Sequence, residues 1–133
     1  MLIDELKNIA RNNGIVGAGG AGFPAYAKMT EKADTVILNC VECEPLLKLH
    51  RQLLATHTEE IIQMLDEVRE SFGAKEAVIG IKSEYVTTIK AIEEVIGDFP
   101  NVRICALKAA YPMGDEVVLI YEATGRVIKP GGL

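Results

Sequence analysis

The sequence predicts an α/β fold of three layers, in which helices cover both faces of a mostly parallel, Rossmann-like sheet. Short apolar runs alternate with segments of helical periodicity over 35–124, and parallel strands need such helical crossovers. The length of 133 residues is that of one domain, and a composition of 49% hydrophobic and 25% charged residues is ordinary for a globular protein. An N-terminal helix and a glycine-rich loop precede the first strand. We therefore expect one domain over 1–133.

The elements follow in order along the chain. Apolar residues recur at helical spacing over 2–12, and Asn12, Asn13 and Gly14 end that helix. The glycine loop follows, and Pro24 suits the first turn of a short helix that reaches Met29. Strands are then expected at 35–38, 77–81 and 102–107, separated by helices that end near Gly73 and Ile96, with a last helix over 116–123 that stops at Gly125. The tail from Arg126 is rich in turn residues.

Hydroxyl residues are expected to cap two of these helices. Helical periodicity begins near Lys48, and Thr56 or Thr58 is a candidate N-cap for the helix that follows. Thr56 and Glu59 have the spacing of a capping box. Ser83 stands in the same position before the next helix.

Five glycines between positions 14 and 22 form the densest glycine cluster of the chain. Residues 17–22 match G-x-G-x-x-G, but the dinucleotide fingerprint needs a strand before it and a long helix after it. Here a helix precedes, and no Gly-Lys-Ser/Thr triplet completes a P-loop. Glycines let backbone N–H groups and flat rings approach closely, which favours a loop that meets a phosphate or a ring over a plain connection.

Ligands of open parallel sheets bind at the carboxyl ends of the strands. Asn39 with CVECEP follows the first strand, and AAYPMGDE follows the third. This placement groups two distant segments into one candidate site. Glu42 and Glu44 could accept hydrogen bonds from hydroxyl or ring N–H groups there, and Lys28 could return to a phosphate or a ring carbonyl.

The remaining chemistry-bearing residues exclude several functions. The CxxC formed by Cys40 and Cys43 lacks the four ligands of a structural metal centre, and its neighbouring glutamates raise thiol pKa values, so we expect no metal or redox role. His50 and His57 are interpreted as helix-surface residues.

A net charge of −5 and 5% aromatic residues argue against nucleic-acid binding. We find no apolar run that could span a membrane and no signal segment, so the expected location is the cytoplasm, with peripheral docking on a membrane complex left open.

Three segments together resemble one family. GIVGAGGAGFPAYAK at 14–28 resembles the glycine-rich loop of the 51-kDa flavoprotein subunit of NADH:quinone oxidoreductase and, more closely, that of RnfC, a peripheral subunit of the Rnf electron-transport complex. NCVECEP at 39–45 with the following His50-Arg51, and YPMGDEVVL at 111–119, resemble further motifs of this family in the same order. The resemblance covers about 14–133.

The resemblance implies an FMN-binding domain that receives hydride from NADH and passes electrons to iron–sulfur centres. The implied partners are FMN, NAD(H) and an iron–sulfur protein or complex subunit, and the implied class is an NADH dehydrogenase-type oxidoreductase. No catalytic acid or base is implied. The cofactor-binding residues that it implies are Gly17, Gly19, Gly20, Gly22, Phe23, Lys28, Asn39, Glu42, Glu44, Tyr111, Gly114, Asp115 and Glu116. Among these, Phe23 would stack on the nucleotide and Glu44 would hydrogen-bond NADH.

Two departures from the family pattern qualify this expectation. The 51-kDa subunit has an aspartate where this chain has Val41, which makes NADH binding less secure than FMN binding. Compared with the family, the chain is expected to be the N-terminal portion of the FMN domain, without the ubiquitin-like β domain and the 4Fe-4S domain, and inactive alone. Two alternatives stay open: an NAD(P)-binding dehydrogenase domain, which requires a strand before Gly14, and a cofactor-free docking module that keeps the fold.

Overall fold

A computed structural model describes residues 1–17, 21–29, 32–42, 48–108 and 116–127. Its regular elements, in chain order, are α1 (Ile3–Asn12), a 3₁₀ turn (Ala25–Lys28), β1 (Thr35–Cys40), α2 (Leu49–Thr56), α3 (Thr58–Ser71), β2 (Glu76–Lys82), α4 (Val86–Ile96), β3 (Val102–Leu107) and α5 (Glu116–Thr124). Within the described residues, no helix is long and apolar enough to cross a membrane. The turn-rich tail predicted from Arg126 lies mostly outside the described residues.

The three strands form a parallel sheet in the order β1-β2-β3. Thr35 of β1 pairs with Glu76 of β2, and Ala77 of β2 pairs with Val102 of β3. All three carboxyl ends therefore lie at one edge of the sheet. The predicted strands are confirmed at their centres, and β1 and β2 extend slightly beyond the predicted bounds.

Alternation along the strands divides the core between the two faces of the sheet. Ala77, Ile79 and Ile81 of β2 are fully buried on the face that is covered by α2, α3 and α4. On the other face, Leu119 of α5 packs with Val41 and Leu107. Helices thus cover both faces, and the predicted three-layer α/β fold is confirmed.

The predicted helix caps are wrong. The Thr56 hydroxyl donates backwards to the Gln52 carbonyl (2.7 Å), and the Thr58 hydroxyl donates to that of Leu54 (2.7 Å), so both satisfy the end of α2. The residue before α3 is His57, which makes no side-chain cap. Threonine hydroxyls bond to carbonyls one turn back as readily as they cap a following helix, and sequence spacing does not separate the two.

Ser83 also does not cap α4. Its N–H donates to the Leu107 carbonyl (2.7 Å), which continues the sheet pairing beyond β2, and α4 begins at Val86 after Tyr85. Ser83 therefore extends the pairing between β2 and β3 by one hydrogen bond and does not stand directly before α4.

Candidate functional site

The glycine-rich segment is closed by backbone hydrogen bonds. Gly14, at φ +61°, ends α1. The Ala25 N–H donates to the Ile15 carbonyl and the Gly17 N–H donates to the Phe23 carbonyl, both at 3.0 Å, around an antiparallel bridge between Val16 and Pro24. We call residues 15–28 the glycine lobe; residues 18–20 lie outside the described part of the chain.

The context of the glycine lobe contradicts the dehydrogenase alternative. A helix, α1, precedes Gly14 where a dinucleotide-binding fold needs a strand, and only a 3₁₀ turn of four residues follows Pro24. The short helix predicted from Pro24 to Met29 is therefore this single turn. Gly22 has φ +70°, a conformation that side-chain-bearing residues rarely adopt.

Two predicted site residues meet within the glycine lobe. The ammonium nitrogen of Lys28 lies 5.1 Å from the centroid of the Phe23 ring, a cation–π distance. Phe23 is half exposed, and Lys28 is exposed. The Lys28 ammonium group lies over one face of the Phe23 ring. The lobe therefore presents an aromatic ring and a positive charge next to each other.

Asn39 lies at the carboxyl end of β1, on the sheet face that carries α5. Its side-chain oxygen accepts a hydrogen bond from the Val41 N–H at 3.0 Å, which turns the chain sharply as it leaves the strand. Val41 itself is buried with Leu107 and Leu119. The turn thus places Val41 in the small core between α5 and the sheet.

Glu42 is buried, with only 3% of its side chain exposed. Its Oε1 accepts a hydrogen bond from the backbone N–H of His50, in the first turn of α2, at 2.7 Å. A carboxylate at this end of a helix is stabilised by the unsatisfied N–H groups and by the helix dipole. The His50 imidazole Nδ1 lies 4.0 Å from the same oxygen.

The second carboxylate oxygen of Glu42 has no donor among the described residues. Oε2 is fully buried and makes no hydrogen bond there. Leaving a buried acceptor unsatisfied costs roughly 1–3 kcal/mol, and more for a charged group. Oε2 of Glu42 can therefore accept one further N–H or O–H donor.

The sequence pattern gives no sign that His50 is the hydrogen-bond partner of Glu42. His50 was interpreted as a surface residue, and its side chain is indeed more than half exposed, yet its backbone N–H fixes the carboxylate. The signal that could have found it is the start of α2, because the first N–H groups of any helix need acceptors.

The cysteines of the described residues have the properties of structural thiols. Burial, followed by the charge of Glu42, raises the pKa of the Cys40 thiol from 9.0 to about 11. Burial also raises the pKa of Cys105, against an opposing effect of the Arg103 charge. No group of three or more metal-ligating side chains occurs within the described ranges, and Cys43 lies outside them.

The remaining predicted site residues are only partly described. Gly17 and Gly22 lie in the glycine lobe, and Glu116 is the first residue of α5. Six predicted residues lie outside the described part of the chain, as does the side chain of Glu116: Gly19, Gly20, Glu44, Tyr111, Gly114 and Asp115.

The chain is similar in sequence to known proteins and in structure to solved ones. The chain is 38% identical over 128 residues to the cobalamin reductase PduS of Citrobacter freundii, covering 96% of this chain and 28% of the relative. It is 34% identical over 134 residues to one component of the Na⁺-translocating ferredoxin:NAD⁺ oxidoreductase complex of Acetobacterium woodii, covering 98% and 30%. An air-oxidised NAD⁺-reducing [NiFe]-hydrogenase matches with a TM-score of 0.77 at 27% identity, over 97% of this chain and 25% of the other.

The chain therefore spans less than a third of the length of these proteins. A family model, the Nuo51 FMN-binding domain, matches residues 10–133. That match includes the glycine lobe, the end of β1 and the whole of α5. The chain belongs to the Nuo51 FMN-binding domain family.

Proposed function

We propose that this chain is the N-terminal part of an FMN-binding domain in a flavoprotein that moves electrons between NAD(H) and iron–sulfur centres. Family membership over residues 10–133 supports the flavin. The observation that carries the proposal to this chain is the buried, unsatisfied Oε2 of Glu42 at the carboxyl edge of the sheet.

The residues present fit FMN. The flavin ring and its ribityl chain offer N–H and O–H donors, and an ionised carboxylate only accepts, so Glu42 supplies the complementary group. Lys28 supplies a positive charge for the phosphate or a ring carbonyl. The glycines of the lobe let a planar ring lie against the backbone. The other residues proposed to line the flavin are Asn39, Tyr111, Gly114, Asp115 and Glu116.

When bound, FMN accepts two electrons with a hydride and releases them one at a time. The protein then needs no acid or base of its own and acts by binding and orienting. Phe23 is proposed to stack on the nicotinamide nucleotide, and Glu44 to hydrogen-bond it. NAD⁺ and ferredoxin appear in the names of relatives and of a solved structure, which supports NAD(H) and an iron–sulfur partner.

The electron acceptor is proposed to be an iron–sulfur protein or a further part of the same complex. In the relatives, more than two thirds of the sequence lies outside the matched segment. We infer that cluster binding belongs to such additional sequence, and that residues 1–133 alone do not complete the dehydrogenase reaction.

The decisive experiment measures FMN affinity after Glu42 is replaced by glutamine, which has an NH₂ group in place of one carboxylate oxygen. In Glu42→Gln, the amide oxygen can still accept from the His50 N–H, while an NH₂ donor replaces Oε2. We expect FMN affinity, measured by quenching of flavin fluorescence, to fall by about tenfold to a hundredfold, because a hydrogen bond to a charged group is worth roughly 1.5–3 kcal/mol. Without FMN the variant should unfold at the same temperature or higher, because a buried charge has been removed.

Glu59→Gln is the matched control, since Glu59 is an exposed glutamate in the first turn of α3. It should leave FMN affinity unchanged. Equal FMN affinity in the native chain and in Glu42→Gln would remove Glu42 from the site. A second protein for this test is a full-length relative in which the present chain replaces the matching segment. If neither the native chain nor this hybrid binds flavin, the cofactor-free docking module is favoured.

A further inference from the structure

Gly80, in the central strand, lies directly against Leu119 of α5. A Cβ atom added at Gly80 would lie 2.6 Å from Cδ1 of Leu119, and 3.5 and 3.6 Å from its Cδ2 and Cγ. All three nearest atoms belong to this one side chain. Carbon atoms without a bond between them do not approach to 2.6 Å, so Leu119 occupies the space that any other residue at position 80 would fill.

Leu119 has little room to move aside. It is 2% exposed and packs with Val41 and Leu107 in the small core between α5 and the sheet. Glycine in the middle of a strand is destabilising, and it often marks a place where another element comes very close. The missing side chain at Gly80 therefore leaves the space that Leu119 fills.

The register of the sheet places this contact beside the candidate site. Gly80 pairs with Asn39 on one side and with Cys105 on the other, and all three point to the face that carries α5. Asn39 is exposed, whereas the Cys105 sulfur lies 3.9 Å from the Glu122 carbonyl of α5. Helix α5 packs on β2 and β3, so its flank borders the space above Asn39.

We propose that Gly80 is a positioning residue: it sets the depth of α5 on the sheet and hence the distance between α5 and the carboxyl end of β1. This inference rests on the proposed function in one respect, namely that FMN binds between α5 and that end of β1. The α5 helix carries Glu116 at its first residue, so a rise of α5 on the sheet shifts one wall of the flavin site relative to Asn39 and Glu42.

The test compares Gly80→Ala in two backgrounds, native and Leu119→Ala. The first readout is the alkylation rate of Cys105 by iodoacetamide, assigned by mass spectrometry under conditions in which far-UV circular dichroism shows every variant to be folded. Gly80→Ala should raise this rate several-fold in the native background, because α5 is lifted from Cys105. The same substitution should have no effect in the Leu119→Ala background, where the methyl group has room.

Gly97→Ala is the matched control. Gly97 follows α4, and an added Cβ there would have no neighbour within 4 Å. In Gly97→Ala, the rate at which iodoacetamide alkylates Cys105 should equal the rate in the native chain. If Gly80→Ala alone fails to fold while the double variant folds, the steric contact with Leu119 is again supported. Equal Cys105 rates in Gly80→Ala and Gly97→Ala would overturn the inference.

The second readout is FMN affinity by fluorescence quenching. Gly80→Ala should weaken FMN binding about tenfold, and the weakening should vanish in the Leu119→Ala background. If the native chain binds FMN and Gly80→Ala binds it equally well, the positioning role is wrong and the proposed function stands. If neither the native chain nor a full-length relative that carries it in place of its own matching segment binds FMN, the flavin part of this inference is overturned, and the Cys105 rates still decide whether Gly80 sets the depth of α5.

Discussion

Cys40 and Glu42 lie two residues apart at the end of β1, and both are buried. The thiol of Cys40 is in the main core with Leu54 and Ile81, where loss of hydration favours its neutral form. The carboxylate of Glu42 is held by the first turn of α2 and keeps one oxygen for another donor. Neighbouring positions in one segment thus differ: Cys40 packs in the core, and Glu42 is the residue to which we assign a binding role in the proposed function.

The Cys40 thiol makes stability fall at alkaline pH. Its pKa is about 11 in the folded protein against 9.0 ordinarily. Below pH 9 both states keep the proton; between pH 9 and 11 only the unfolded chain releases it, so the free energy of unfolding falls by up to about 2 kcal/mol in this window.

Urea unfolding at several pH values checks this prediction. Cys40→Ala should be less stable at pH 7 by roughly 1 kcal/mol because a small cavity is left, but its deficit should shrink between pH 9 and 11. If the free energies of unfolding of the native chain and of Cys40→Ala change equally between pH 9 and 11, the assigned role of Cys40 is contradicted.

At the scale of elements, α5 is a helix of nine residues that is held at both its middle and its end. Leu119 packs on Gly80, and the Arg103 guanidinium donates to the Ala123 carbonyl at 2.6 Å. Arg103 also bonds Glu76 at 3.0 Å and thereby lowers the pKa of that carboxyl. A cation at the last carbonyls of a helix is favourable.

Arg103→Met should loosen the last turn of α5. The global loss of stability should be small, under about 1 kcal/mol, because the Arg103–Glu76 pair is partly exposed. Hydrogen exchange should show faster exchange of the α5 amides, with no change in those of α4. Lys108→Met, an exposed lysine after the same strand, should change neither helix. Unchanged α5 exchange in Arg103→Met would show that Arg103 does not hold the last turn of this helix.

The sequence alone predicted where the strands and helices lie, but not which residues make hydrogen bonds where α3 and α4 begin. Apolar runs located β1, β2 and β3, since buried parallel strands leave a continuous hydrophobic signal. The starts of α3 and α4 were wrong because Thr56 and Thr58 bond backwards and Ser83 joins the sheet. Those choices depend on which neighbours the fold supplies, and local spacing does not encode them.

At the scale of the whole molecule, parallel topology explains why the sequence alone could place Asn39 and Glu42 at one edge of the sheet. Carboxyl ends of parallel strands share one edge, so residues after β1 were candidates before any contact was known. The burial of Glu42 was not predictable, because its partner His50 lies eight residues away and depends on where α2 begins. Gly80 was likewise missed, since its role depends on a helix about forty residues later in the chain.

A hybrid protein tests the proposal for the whole molecule. The segment of the Salmonella typhimurium cobalamin reductase PduS that matches this chain, 38% identical over 130 residues, can be replaced by the present sequence. We expect the hybrid to carry as much flavin per chain, measured by absorbance, as the native relative purified alongside it. The same hybrid with Glu42→Gln should carry less, and with Glu59→Gln the same amount. A soluble, folded hybrid without flavin would contradict the proposal.

The closure of the glycine lobe has an evolutionary consequence. The bonds that join Ile15 to Ala25 and Gly17 to Phe23 run between backbone groups, so they place few demands on side-chain identity. Gly22, at φ +70°, is the exception, because its backbone conformation excludes most side chains. Relatives can therefore vary in side chains elsewhere around this closure while the backbone of the lobe keeps its shape.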